Sequence, residues 1–166
     1  DLEIQIERTG GVVSVGNLPV IDADPLQIHQ LFQNLIGNAL KYHRKDVHPI
    51  IDIQAQYPNN IKQGRNLTSH GNGFCQITVT DNGIGFNEKY AEFIFGMFQR
   101  LHRRDEYEGT GVGLSICRKI VERHGGSITE KSTPGEGTKF IIVLPIHQLK
   151  RKDNEQNEKS NYHFNG

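Results

Sequence analysis

Residues 24–42 constrain the fold more than any other stretch, because they specify one helix at its start and along its whole length. Asp24 can cap it, Pro25 suits the first helical position, and Gln27 stands three residues after the cap, as a capping box requires. Ile28, Leu31, Phe32, Leu35, Ile36, Ala39 and Leu40 then recur at helical spacing, out to about Tyr42. A face that wide has to pack on a sheet, and the neighbouring segments supply one. Ile51, Ile53 and Ala55 alternate with polar residues, as do Cys75, Ile77 and Val79, so each set predicts a strand. At the start of the chain Leu2, Ile4 and Ile6, a Gly10-Gly11 turn and Val12-Val13-Ser14-Val15 predict a β-hairpin.

A short helix is expected over roughly 88–95. A longer one follows Gly113, with Leu114, Cys117, Ile120 and Val121 on one face and a stop at Gly125-Gly126. Ser127 to Lys131, a Pro134-Gly135 turn and the apolar run Phe140 to Leu144 form a closing hairpin. The stretch 57–73 is too rich in Asn, Gly and Pro to bury and reads as a long mobile hairpin loop. Residues 148–166 are polar and unpatterned, which leaves one domain over 1–147 and a disordered tail. Strands and helices without regular βαβ repeats predict an α+β fold, a two-layer α/β sandwich on a mixed sheet.

Composition narrows the function classes. Lys plus Arg and Asp plus Glu both number 19, so no basic field draws the chain to nucleic acid. Cys75 and Cys117 occupy apolar positions without metal-ligand spacing, and read as reduced core thiols of a cytoplasmic protein. No apolar run approaches the ~18 residues of a membrane span, and Asp1 starts inside a patterned segment, so the chain reads as a piece of a longer protein.

Three polar sets stand out. Asn34, Asn38 and Lys41 form a stripe on the first long helix; it is either a solvated face or, at the edge of the buried surface, an amide suited to Mg²⁺. Asp81 continues the parity of Cys75, Ile77 and Val79, which sends its carboxylate to the apolar side, where it needs a donor. Asp81-Asn82-Gly83 is ordinary Asx-turn chemistry; alternatively the carboxylate accepts the exocyclic amine of adenine, with Gly83 and Gly85 admitting the ring. Gly109, Gly111 and Gly113 precede a helix and would present N–H groups to a phosphate chain, although neither a Rossmann fingerprint nor a P-loop is present.

In order, Asn34-Leu35-Ile36-Gly37-Asn38-Ala39-Leu40-Lys41-Tyr42, Asp81-Asn82-Gly83-Ile84-Gly85, Phe95-Gly96-Met97-Phe98-Gln99-Arg100, Gly109-Thr110-Gly111-Val112-Gly113-Leu114 and Gly135-Glu136-Gly137-Thr138 resemble the N, G1, F, G2 and G3 boxes of two-component sensor histidine kinases. The stretch from Phe98 to Gly126 looks especially like kinases of the phytochrome and hybrid-sensor kind. The resemblance implies the Bergerat fold shared with gyrase, heat-shock chaperone and mismatch-repair ATPases, with ATP and Mg²⁺ as cofactors. It implies that Asn38 ligates Mg²⁺, that Asn34 and Lys41 lie along the phosphates, and that Tyr42 borders the adenine. Asp81 would bind the adenine amine, with Gly83, Gly85 and Thr138 shaping the pocket; Phe95 and Phe98 would anchor a lid over 99–108. Gly109, Gly111, Val112, Gly113 and Leu114 would close over the phosphates, and Arg100 would reach the γ-phosphate.

Gyrase-like and chaperone ATPases of this fold carry a glutamate base four residues before the Mg-binding asparagine, and here that residue is Asn34. An amide cannot take the proton, so the resemblance implies a kinase and not a hydrolase. None of the eight histidines is followed by Glu or Asp, as the family's acceptor histidine is. The acceptor is therefore expected on dimerisation helices elsewhere in the full-length protein, with a response regulator downstream, no membrane contact, and a monomeric isolated domain. A non-catalytic ATP-binding module and a gyrase-like ATPase are the competing readings.

Overall fold

The computed structural model describes residues 2–57, 73–96 and 112–148. In chain order these form α1 (Leu2–Thr9), β1 (Val12–Val15), α2 (Pro25–Lys41), β2 (Ile50–Gln56), β3 (Phe74–Asp81), a 3₁₀ turn (Glu88–Tyr90), α3 (Ala91–Ile94), α4 (Gly113–Arg123), β4 (Ser127–Thr133) and β5 (Gly137–Pro145). The five strands make one mixed sheet in the order β1-β2-β3-β5-β4, parallel between β1 and β2 and antiparallel elsewhere. Among the described residues no helix is long and apolar enough to cross a membrane.

Alternation along the strands decides which face the helices cover. Ile53, Val79 and Phe140 face one another across β2, β3 and β5, and Ile128, Ile142 and Ile77 do so across β4, β5 and β3. All are buried together with Leu31, Leu35, Ala39 and Leu40 of α2 and Cys117, Ile120 and Val121 of α4. The result is the two-layer α+β sandwich that the patterning predicts.

The expected N-terminal hairpin is not there. Leu2 and Ile6, four residues apart, pack against the core from a helix, while Ile4 between them is exposed. Gly10, at φ 63°, donates to Glu7 O and Gly11 donates to Ile6 O. That is a Schellman C-cap, which uses the same Gly-Gly pair as a hairpin turn. Three alternating apolar residues cannot separate period 2 from an i, i+4 pair, and β1 takes its strand partner from β2, in parallel, and not from the segment before it.

α4 ends as its sequence specifies: Gly125, at φ 79°, donates to Glu122 O and Gly126 donates to Val121 O. At the start of α2 the Asp24 carboxylate accepts from Leu26 N and Gln27 N. The capping box itself is incomplete, because the Asp24 N–H donates to His124 Nε2 at 3.0 Å instead of to Gln27. His124 is 6% exposed, and its Nδ1 lies 2.7 Å from Ile120 O. A carbonyl must accept and an amide N–H must donate, so the ring is held as the neutral tautomer protonated on Nδ1. His124 is therefore a buried clasp between the end of α4 and the start of α2. Gln148, at the expected start of the tail, donates to His124 O at 3.0 Å. The clasp predicts that His124→Ala, which orphans the Asp24 N–H and opens a cavity, lowers unfolding free energy by about 2–4 kcal/mol in urea denaturation.

Candidate functional site

The core-facing row changes character at one end of the sheet. Where Ile53, Val79 and Phe140 are apolar, the next row reads Ile51, Asp81, Thr138 and Ser132 across β2, β3, β5 and β4. Asp81 is thus set on the apolar side by the pleat of its own strand. Its Oδ1 accepts from Gly83 N at 2.8 Å and from Thr138 N at 3.3 Å. The first contact is the Asx turn, and it uses one oxygen; no described residue donates to the other. Burial raises the Asp81 pKa, and the two backbone N–H groups offset part of that rise.

The loop after Asp81 is stitched on both sides. A Cβ on Gly83 would stand 2.5 Å from Tyr42 O, so only glycine lets the loop approach the end of α2, where Ile84 N donates to that same carbonyl. Gly85 is at φ 60°, and Gly135 N donates to Ile84 O at 2.7 Å. Asn82, unassigned from sequence, accepts from Ile50 N and donates to His48 O, while Arg44 Nε donates to Asn82 O. Ser132 was also missed. Its buried hydroxyl joins Phe86 N, Gly137 O and Thr138 Oγ1. The available signal was parity, since Ser132 lies four residues beyond Ile128 on the same face of β4.

α2 and α4 run antiparallel. His124 meets Asp24, Cys117 Sγ lies 3.8 Å from Leu31 O, and Asn34 Nδ2 lies 3.4 Å from Gly113 O. Burial pushes the Cys117 thiol up to about 12, with the Asn34 amide opposing it, so this cysteine is an inert core group. The register brings Asn34 beside the first residue of α4, which Val112 precedes without a side-chain cap. Leu114 packs against the core, turning the first turn of α4 toward α2. Asn38 is half-buried and its amide makes no hydrogen bond with a described residue. Among the described residues no three His, Cys, Asp or Glu side chains could together hold a metal. A single free amide oxygen nonetheless suits Mg²⁺, which takes few protein ligands and keeps water and phosphate oxygens. The Lys41 ammonium lies 4.6 Å from the Tyr42 ring centroid, at the end of α2 nearest the Asp81 loop.

Phe95 is buried edge-on against Phe140, and Arg118 lies 4.3 Å over its ring while pairing with Glu92. Phe98, Arg100, Gly109, Gly111 and the expected lid lie outside the described residues, as do residues 58–72 and 149–166. His43 Nδ1 is tied to Leu40 O, and both ring nitrogens of His124 are engaged.

The chain belongs to the histidine kinase-, DNA gyrase B-, and HSP90-like ATPase family, whose model matches residues 23–148. It is 42% identical over 146 residues to the phytochrome-like protein Cph1 of Synechocystis sp., covering 88% of this chain and 18% of that protein. It is 35% identical over 133 residues to the adaptive-response sensory kinase SasA of Synechococcus sp., covering 80% of this chain and 32% of that protein. Among solved structures, the catalytic domain of histidine kinase ThkA superposes with a TM-score of 0.65 at 26% identity, over 88% of this chain and 87% of that one. The chain thus spans less than a third of these two sequence relatives.

Because its folded pKa is raised, Asp81 binds its proton more tightly in the fold than in the unfolded chain. Its contribution to stability is full in acid, below the ordinary carboxylate range, and is lost as pH rises through the raised value. Asp81→Asn keeps the Oδ1 acceptor and removes the charge, so its melting temperature at pH 7 should exceed that of the parent. Melts repeated toward pH 4 should show the difference closing.

Proposed function

We propose that this chain binds Mg-ATP and donates the γ-phosphoryl group to a histidine on the dimerisation helices of its full-length sensor kinase. The observation that carries the reading is the Asp81 carboxylate, fixed on the core face with one oxygen left without a donor among the described residues. Such an oxygen matches an exocyclic amine, and adenine has one where guanine carries an oxo group. Thr138 and the closely packed loop from Gly83 to Gly85, with the Tyr42 carbonyl against Gly83, border the same spot, and the Tyr42 ring is proposed to border the adenine.

The phosphates would then extend from the base toward Asn34, Asn38 and the start of α4, where the N–H groups of the first turn meet negative charge at a positive helix end. Asn38 would hold Mg²⁺ and Lys41 would add a second positive charge. Mg²⁺, when bound, neutralises charge on the phosphate oxygens and orients the transferred group. Val112 and Gly113 begin α4 here, and Gly109, Gly111, Phe98 and Arg100 are proposed to complete the enclosure, with Arg100 at the γ-phosphate.

The reading favours transfer over hydrolysis because Asn34 offers an amide, and its Nδ2 is directed at Gly113 O. Nothing at that position can take a proton from water. The phosphoryl group is thereby kept for an imidazole nitrogen, which displaces ADP, and a response regulator would accept it next. The relatives' names as sensory kinases support a role in two-component signalling, for which a cytoplasmic location is proposed.

Calorimetry should show ATP bound at least about tenfold more tightly than GTP, with Asp81→Asn removing about tenfold or more of the ATP affinity. Equal ATP and GTP affinities would remove the basis for the pocket. Incubated with γ-labelled ATP, the chain should not label itself, yet it should label added dimerisation helices. Asn38→Ala should abolish that transfer; undiminished labelling would mean the metal site is wrongly assigned.

A further inference from the structure

The row that ends the sheet contains a hydroxyl pair whose proton can be assigned by counting. Ser132 lies opposite Thr138 in the ladder of β4 and β5, and both are buried, at 6% and 8% exposure. Ser132 Oγ stands 2.9 Å from Phe86 N, 3.0 Å from Gly137 O and 2.9 Å from Thr138 Oγ1. A serine hydroxyl has one proton to give and two lone pairs to receive with. The Phe86 N–H can only donate, so it takes one lone pair. The Gly137 carbonyl can only accept, so it takes the proton. The proton between the two hydroxyls therefore belongs to Thr138, and Ser132 is then fully satisfied. Reversing the assignment would leave two oxygens 3.0 Å apart in a buried site with no proton between them, where lone-pair repulsion is poorly screened.

The consequence falls on Thr138. With its proton held by Ser132, its oxygen offers only lone pairs to anything else that approaches. Asp81 lies directly across the ladder from Thr138 and, when ionised, also offers only lone pairs. We propose that Ser132 is a specificity-determining residue: by holding the Thr138 proton it makes this end of the sheet accept hydrogen bonds only, selecting a purine with an amino group at position 6 over one with an oxo group. The inference rests on the adenine reading given above and adds to it how discrimination is enforced. Ser132 acts through Thr138 and has no contact with the base. Without it the Thr138 hydroxyl could rotate and donate to a 6-oxo group, and part of the discrimination would disappear.

The test compares ADP with IDP, which differ at position 6 and undergo no γ-phosphoryl transfer that could obscure binding. The parent chain should prefer ADP by about tenfold or more, as one mismatched buried hydrogen bond implies. Ser132→Ala should narrow that preference to within about threefold, partly through tighter IDP binding, and Ser132→Thr, which restores the hydroxyl, should recover it. The ratio of the two affinities does not depend on the fraction folded, so a purely structural role would lower both affinities and leave the ratio unchanged; that result would overturn the proposal. Should Ser132→Ala fail to fold, Ser132→Cys fills the site with a weaker acceptor and must also narrow the ratio, failing which the proposal falls. No preference for ADP in the parent chain would instead overturn the adenine reading itself, and is distinguishable because the variants then have nothing to change.

Discussion

A carboxylate set on the buried face of a sheet is costly unless something donates to it, and the arrangement around Asp81 answers that requirement in part. Two backbone N–H groups, from the turn after β3 and from the facing strand β5, reach one oxygen. They hold the acid in place without neutralising it, and its pKa stays raised. The neighbouring features follow from that position. Gly83 lets the loop pass the end of α2, the turn of the β4–β5 hairpin binds the loop at Ile84, and Ser132 holds it again at Phe86. A desolvated acid held in this way, with one oxygen lacking a donor among the described residues, is the ground on which the ligand reading is proposed.

The second constraint is the register between α2 and α4. Three polar contacts, at Asp24 with His124, Leu31 with Cys117, and Asn34 with Gly113, fix the two antiparallel helices along their shared length. Polar contacts specify axial position more sharply than apolar packing, which tolerates sliding. The start of α4 is thereby set beside Asn34 of the asparagine stripe.

Much of this was legible in advance, for identifiable reasons. The start of α2 was marked by Asp24 and Pro25, the end of α4 by Gly125 and Gly126, and the facing of Asp81 by the two-residue period of β3. These are local rules, set by backbone geometry within a few residues. The N-terminal segment failed the same kind of reading because three alternating apolar residues and a Gly-Gly pair satisfy both a hairpin and a capped helix. Burial against α2 chose between them, and no local rule could.

His124 in the fold, and Asn82, Arg44 and Ser132 around the Asp81 loop, show the same limit. Each has an unremarkable local sequence, and each acquires a partner from an element distant in the chain: His124 from the start of α2, Asn82 and Arg44 from one another and from the start of β2, Ser132 from the loop after β3. The sequence by itself determined the start of α2, the end of α4, the buried parity of Asp81 and the ordered boxes that mark the family, because periodicity, caps and glycines act locally. Only the tertiary structure decided which histidine is a clasp, which asparagine braces a loop and which serine reaches the loop after β3, because hydrogen-bond partners at long sequence separation exist only once the sheet is assembled.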